Sequence, residues 1–210
     1  GKPVEQSLDL LRAFHRLGVR VLQLTWAGGN DICDRRDPPK SEGLTPFGVE
    51  LVKEMNRLGM LIDPGHCSRK TFFDVIERST RPVAVLHTAP ATKGKGDLDD
   101  EQVRAIARKG GVIGLHFFSH YLNPSRKATV EDLVEHVDYI RKLVGIDYVA
   151  LGGDYLELTE SFIKGHGPAA GGYLGIPEEL DSYEKVVNVT RALRLHGYAD
   201  EEIRKVLGGN

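Results

Sequence analysis

The chain has 210 residues, 40% of them hydrophobic and 28% charged, with a formal net charge of -2. This is enough apolar content for one sizeable packed domain, and it excludes a disordered chain. A near-neutral balance with both signs interspersed leaves no electrostatic footprint for nucleic acid or for an anionic membrane surface.

Gln6 to Leu17 spaces Leu8, Leu11, Phe14 and Leu17 as one helix face, Gly18 closes it, and Val19 to Thr25 follows as a strand. Residues 26–45 form a long polar loop rich in Gly, Asp and Pro, a length that in compact domains usually goes with function. Thr45 and Pro46 open the next helix as N-cap and first helical residue, and it runs through Val49, Val52, Met55 and Leu58 to Gly59. Met60 to Asp63 is a strand, Ser68 caps a helix over Phe72, Val75 and Ile76, and Pro82 to His87 is the next strand. Asp99 caps a helix over Val103 to Ala107, Gly110-Gly111 breaks it, and Val112 to Phe118 returns as a strand. Thr129 starts a helix with Leu133, Val137 and Ile140 on one face, Gly145 ends it, and Tyr148 to Gly152 is a fifth strand. A Gly-rich loop (165–175) precedes closing helices at Ser182 to Leu195 and Asp200 to Leu207. This alternation argues a parallel α/β architecture. Five strands are too few to close a barrel, which leaves an open doubly wound sheet or part of a barrel.

Two of the apolar runs end in histidine, Leu61 to His66 and Pro82 to His87, and a third, Tyr148 to Gly153, ends at Asp154. In parallel β/α folds the site collects at the C-terminal ends of the strands. Neighbouring strands lie about 4.8 Å apart, so imidazoles at His66 and His87 can share one zinc. Each histidine alone also reads as an ordinary hydrogen-bonded residue at a strand end. Together with Asp154 they point to a metal-assisted hydrolase, in which the metal lowers the pKa of a bound water to about 7. Asp154 would carry that water's proton to the leaving amine. Two imidazoles are an incomplete set, because catalytic zinc usually takes three protein ligands.

His116, near the end of its strand, could face the same site. His15 and His136 within helices and His196 at a helix end read as solvated or capping residues, and His120 and His166 fall in loops. Asp31, Asp34 and Asp37 read as a solvated acidic cluster. The two cysteines, Cys33 and Cys67, have no CxxC or zinc-finger spacing, so they read as buried or free thiols of a reducing, cytoplasmic compartment. For Cys67, beside His66, a small buried residue is favoured over a soft metal ligand. No apolar run is long enough to span a bilayer.

At these residues the chain resembles the renal (membrane) dipeptidase family of zinc metallopeptidases. The matching stretches are Gly18-Val19-Arg20 through Leu24-Thr25-Trp26, Gly43 to Gly48, Glu54 to Asp63 and the His66 and His87 segments. Asp99 to Gln102, Gly110 to Ile113, Gly145 to Asp147 and Leu207 to Asn210 extend the likeness over nearly the whole chain, and the run 54–66 is the most specific. The resemblance implies an α/β fold of the (β/α)8 TIM-barrel type with a binuclear zinc site that hydrolyses dipeptides, often tolerating a D-residue at the C-terminal position. It implies that His66 and His87 hold the second zinc and that Asp154 is the catalytic acid/base.

Trp26 stands where many members have a substrate-contacting histidine. Lys95 aligns near the arginine that binds the substrate carboxylate; lysine can bind it as a point charge, without the bidentate fork. His116 falls where the family commonly has asparagine. Against the family pattern the chain starts after the glutamate that bridges the metals. The expectation is therefore one barrel domain over residues 1–210 holding strands four to eight, without the first zinc's His-x-Asp pair. Such an open edge implies a homo-oligomer or an N-terminal partner segment. The competing readings are a non-catalytic metal-binding remnant of the family and another metal-dependent amidohydrolase or lactonase.

Overall fold

The computed structural model of the chain describes residues 1–26, 29–34, 41–91, 97–155 and 175–210. Several helices begin where a side chain satisfies a first-turn N–H group. Ser7 accepts from Leu10 at the start of α1 (Leu8–Arg16), Thr45 from Gly48 at α2 (Pro46–Leu58), and Ser68 from Thr71 at α3 (Arg69–Arg78). Asp99 and Gln102 exchange side-chain and backbone bonds of 2.9 and 3.1 Å in front of α4 (Asp100–Arg108). After the single turn α5 (Ser119–Leu122), Thr129 and Asp132 form the same reciprocal box at α6 (Val130–Leu143). Each such cap is worth about 1 kcal/mol, so the helix starts anticipated at Thr45, Ser68, Asp99 and Thr129 are found where local chemistry puts them.

Between the helices run five short strands: β1 (Val21–Gln23), β2 (Leu61–Asp63), β3 (Val85–Thr88), β4 (Ile113–Leu115) and β5 (Val149–Leu151). β1 pairs with β2 in parallel, Val21 opposite Leu61 and Gln23 opposite Asp63. A second sheet has the order β3-β4-β5, with β4 and β5 parallel and Ile113 opposite Val149. The chain is thus a mixed α/β fold with parallel strand pairing. It closes with α7 (Val187–Leu195) and α8 (Asp200–Arg204).

The chain folds as two compact units, residues 1–86 with 105–112, and residues 87–104 with 113–210. In the first, Leu11, Leu51, Met55, Ile62, Val75 and Val83 are at most 1% exposed. In the second, Leu115, Leu133, Val137, Ile140, Val149 and Val206 are fully buried. Each such side chain contributes roughly 1.5–3 kcal/mol, so these clusters rather than the short ladders hold the strands in place.

The strands are shorter than the apolar runs that announce them. Val19 to Thr25 narrows to β1, Val112 to Phe118 stops at Leu115, and Pro82 to His87 starts only at Val85. Leu24, Val83 and Phe117 are buried yet lie outside the ladders, so their apolarity reflects packing and not strand pairing. α5 has no counterpart in the sequence reading, because a single turn carries no helical period. His136, expected to be solvated, is 1% exposed with Nε2 3.2 Å from the Leu122 carbonyl oxygen. Asp34 is no part of a solvated cluster either: its carboxylate accepts from Glu42 N–H and from Gly43 N–H at 2.9 Å, and lies 3.3 Å from the Ser41 hydroxyl. Asp37, His166 and most of the Gly-rich loop lie outside the described residues. Among the described residues no helix is long and apolar enough to cross a membrane.

Candidate functional site

In the first unit, β2 ends at Asp63, whose buried carboxylate accepts Gly65 N–H at 2.7 Å and Gln23 Nε2–H at 3.2 Å. These bonds curl the chain through Pro64-Gly65. A Cβ at Gly65 would lie 2.9 Å from Asp63 Oδ1 and 3.1 Å from Gln23 Nε2, so the tight approach requires glycine. The turn delivers His66 in the left-handed region, φ 61°. That conformation costs an L-residue about 1–2 kcal/mol, and such outliers persist where the surroundings over-determine them. Here Cys67 N–H donates to Pro64 O and Ser68 N–H to Asp34 O, both at 3.3 Å, so the far side of the turn is held as well. Leu24 N–H donates to Asp63 O at 3.2 Å, and Trp26, two residues on, is 58% exposed. The ends of β1 and β2 thus carry Trp26 and His66.

In the second unit, Thr88 O accepts from His116 N–H at 3.1 Å and Leu115 O from Gly152 N–H at 2.9 Å. These bonds bring the C-terminal ends of β3, β4 and β5 to one edge, which therefore carries His87, His116 and Asp154. His87 is half-buried within β3. The next residue, Thr88, is buried, and its hydroxyl finds no hydrogen-bond partner among the described residues. His116 is 2% exposed, stands edge-on to the Tyr121 ring at 4.5 Å, and accepts Phe118 N–H at Nδ1 (3.2 Å). In the neutral ring this acceptor role places the proton on Nε2.

Asp154 follows a second close approach. A Cβ at Gly153 would lie 2.9 Å from the Tyr155 ring and 3.0 Å from Phe117. Phe117 and Tyr155 pack edge to face at 5.7 Å, and the Tyr155 hydroxyl donates to Leu180 O at 2.6 Å and to Ser182 O at 3.1 Å. Burial, with the nearby Tyr183 and Asp181, pushes this phenol up to about 12. The turn so pinned holds Asp154 at φ 51°, the same unusual region as His66.

Of the residues expected from sequence, Trp26 and His66 therefore follow the paired strands β1 and β2 of the first unit, and His87 and Asp154 lie at the ends of β3 and β5 in the second. Lys95 lies outside the described residues. Asp63 and Gly65 are the supporting residues the sequence reading passed over, whereas the glycine pair before Asp154 is visible in it. A carboxylate inside the apolar run Leu61-Ile62-Asp63 is the signal that marks the first of them.

Among the described residues no group of three or more His, Cys, Asp or Glu side chains lies close enough to hold a metal ion. Imidazole, the donor His66 offers in the first unit and His87 in the second, is suitable chemistry for zinc, and catalytic zinc usually takes three protein ligands. Contact with Cys33, and then burial, hold the neighbouring Cys67 thiol above its ordinary value. Two cavities, of about 440 and 460 Å³, are lined in part by Lys127, Glu178 and Lys185 and by Gln6 and Asn30; among the described residues, Trp26, His66, His87 and Asp154 do not line them.

Strand–helix alternation with imidazoles and a carboxylate at the strand ends is the arrangement of metal-assisted α/β hydrolases. The sequence profile described as membrane dipeptidase (peptidase family M19) matches residues 1–210, and the chain belongs to that family. A curated relative, dipeptidase tcpJ of Claviceps purpurea (strain 20.1), is 31% identical over 209 residues, which cover 97% of this chain and 46% of its own length. An amidohydrolase from Pseudomonas aeruginosa superposes with a TM-score of 0.89 at 27% identity, covering 98% of this chain and 66% of that one. A metallopeptidase from Rhodobacter sphaeroides, bound to a phosphinate mimic of the dipeptide L-Ala-D-Ala, gives 0.82 at 27% identity, over 97% and 57%. The chain thus spans about half the length of this curated relative and less than two thirds of each of the two solved chains.

Proposed function

We propose that the chain is a zinc-dependent dipeptidase of the (β/α)8-barrel type, hydrolysing the peptide bond of a dipeptide. One observation carries the reading. His66 and Asp154, at the ends of different strands, are two of the four non-glycine residues at positive φ among the described residues, the others being Glu5 and Gln6 near the N-terminus, in a chain that the dipeptidase family profile matches throughout. Backbone held in such regions clusters at active sites.

The roles follow from side-chain chemistry. His66 and His87 offer neutral imidazole nitrogens to zinc, with further donors coming from outside the described residues. A homo-oligomer or an N-terminal partner segment is a source consistent with that need. Zinc, when bound, acidifies a water and polarises the scissile carbonyl. Asp154 takes the proton of the attacking water and passes it to the leaving amine. Trp26 offers an exposed indole face as a wall for the substrate, and Lys95 a point charge for its terminal carboxylate.

L-Ala-D-Ala, whose mimic occupies the Rhodobacter sphaeroides relative, is the first substrate to assay. After equilibration with zinc and removal of excess, the chain is expected to retain metal and to release alanine, and Asp154→Asn to retain metal without release. Metal retained by the unaltered chain with no hydrolysis of any dipeptide would favour a second reading, a metal-binding member of the family without turnover. The absence of a three-ligand group among the described residues is the observation on its side.

A further inference from the structure

We infer that Cys33 and Cys67 form a dithiol modification site, which closes to an intrachain disulfide on exchange with a small-molecule disulfide. Their sulfurs lie 3.8 Å apart, both residues are buried, and 34 positions of sequence separate them. Both are free thiols in the structure. The contact is built rather than incidental, because the two segments are clasped immediately beside it. Ser68 N–H donates to Asp34 O at 3.3 Å. The Ser41 hydroxyl spans the same two residues, donating to Ser68 Oγ at 2.8 Å and contacting Asp34 Oδ2 at 3.3 Å. Cys33 is further fixed by an antiparallel bridge to Leu44, and Cys67 by its N–H bond to Pro64 O. A disulfide needs an S–S distance of about 2.05 Å, so the sulfurs must approach by roughly 1.8 Å.

The chemistry balances as two exchange steps. Cys67, 7% exposed against 1% for Cys33, is the more exposed residue of the pair and is taken as the first to react. Its thiol gives up a proton and attacks the oxidant disulfide, for which glutathione disulfide serves, forming a mixed disulfide and expelling one glutathione thiolate. Cys33 then gives up its proton, attacks the Cys67 sulfur and expels the second glutathione thiolate. The protein loses two electrons and two protons, and one glutathione disulfide becomes two glutathione thiols. The new bond joins the residue directly after His66 to the loop that carries Asp34, and so adds a covalent tie to the turn in which His66 sits.

The test uses the intact chain, incubated with excess glutathione disulfide, then quenched with acid and mapped by mass spectrometry without reduction. The expected product is a monomer lacking two hydrogens, with a peptide crosslinked through Cys33 and Cys67, no free thiol and no retained glutathione. Its thermal midpoint should lie above that of the reduced chain by about 5–15 °C, the range for closing a loop of this length in a chain of this size. Dithiothreitol should reverse both changes. Cys33→Ser should stop at a stable glutathione adduct on Cys67. A native chain whose two thiols stay unreacted, or which gives adducts or interchain dimers in place of the intrachain bond, would overturn the inference. Those outcomes are read on the wild-type chain, so they hold even if the serine variant does not fold.

Discussion

Asp154 combines two properties that separate cleanly under substitution: a left-handed backbone, φ 51°, and a carboxylate proposed to move a proton. The backbone term acts on stability. Left-handed geometry costs a residue with a Cβ about 1–2 kcal/mol, a cost removed for glycine and eased for Asp and Asn by local hydrogen bonding. Asp154→Ala keeps the Cβ and loses that easing, so it should lower stability by about 1 kcal/mol, or about 2–4 °C in thermal midpoint for a chain of this length. Asp154→Asn should melt with the wild type. Asp154→Gly should melt with it or slightly above, relief of the backbone being offset by about 0.4–1 kcal/mol from the freer unfolded chain. The chemical term acts on turnover, and all three variants should lose about 10²–10⁴-fold, the usual contribution of a positioned general base. Calorimetric melts of the metal-free chain read the first property, and dipeptide hydrolysis by the zinc-equilibrated chain reads the second. An alanine variant as stable as the glycine variant would refute the claim that the fold imposes this backbone. An asparagine variant turning over at the wild-type rate would refute the proton-carrying role and leave the backbone argument standing.

Three further outcomes are expected. His66→Ala and His87→Ala should each reduce the zinc retained per chain, read by elemental analysis; full retention in both would remove them as ligands. Gly153→Ala should destabilise by about 1–3 kcal/mol, since its Cβ meets the Phe117 and Tyr155 rings, and neither can yield freely: one is buried, the other tied to Leu180 O and Ser182 O; a wild-type melt would show that this contact relaxes. Glu54, 8% exposed, accepts from Arg57 at 2.7 and 2.8 Å and from Arg12 at 2.7 Å, and these guanidiniums lower its carboxyl from 4.5 to about 2. A depressed carboxyl contributes stability above its unfolded value and loses it as pH falls towards the folded one. The stability gap between wild type and Glu54→Gln should therefore be full above pH 4.5 and shrink as pH drops towards 2, and a gap independent of pH over that window would contradict the pairing.

Helix starts were legible in the sequence because their causes are local. Thr45, Ser68, Asp99 and Thr129 each bond a backbone N–H three residues on, so a window of four residues contains the whole explanation. Strand limits were less legible, since Leu24, Val83 and Phe117 owe their burial to packing partners distant in sequence. The candidate site lies between these cases. Its ligand-type residues stand out at the ends of apolar runs, but the support under them does not: Asp63, which orders the His66 turn, is itself bonded by Gln23, 40 residues away.

One local mark does accompany the support. His66 and Asp154 each follow a glycine, and in both places an added Cβ would come within 2.9 Å of a neighbour, Asp63 Oδ1 in one and the Tyr155 ring in the other. The glycine lets the backbone pass close to a fixed group, and the residue after it is turned into the left-handed region. His87 has no such glycine before it and stays within its strand. A glycine immediately before an imidazole or carboxylate at the end of an apolar run therefore separates, in this chain, the residues carried out of the strand by a strained turn from the one held in the ladder. It makes Gly65 and Gly153 as much a part of the proposed site as the side chains they place.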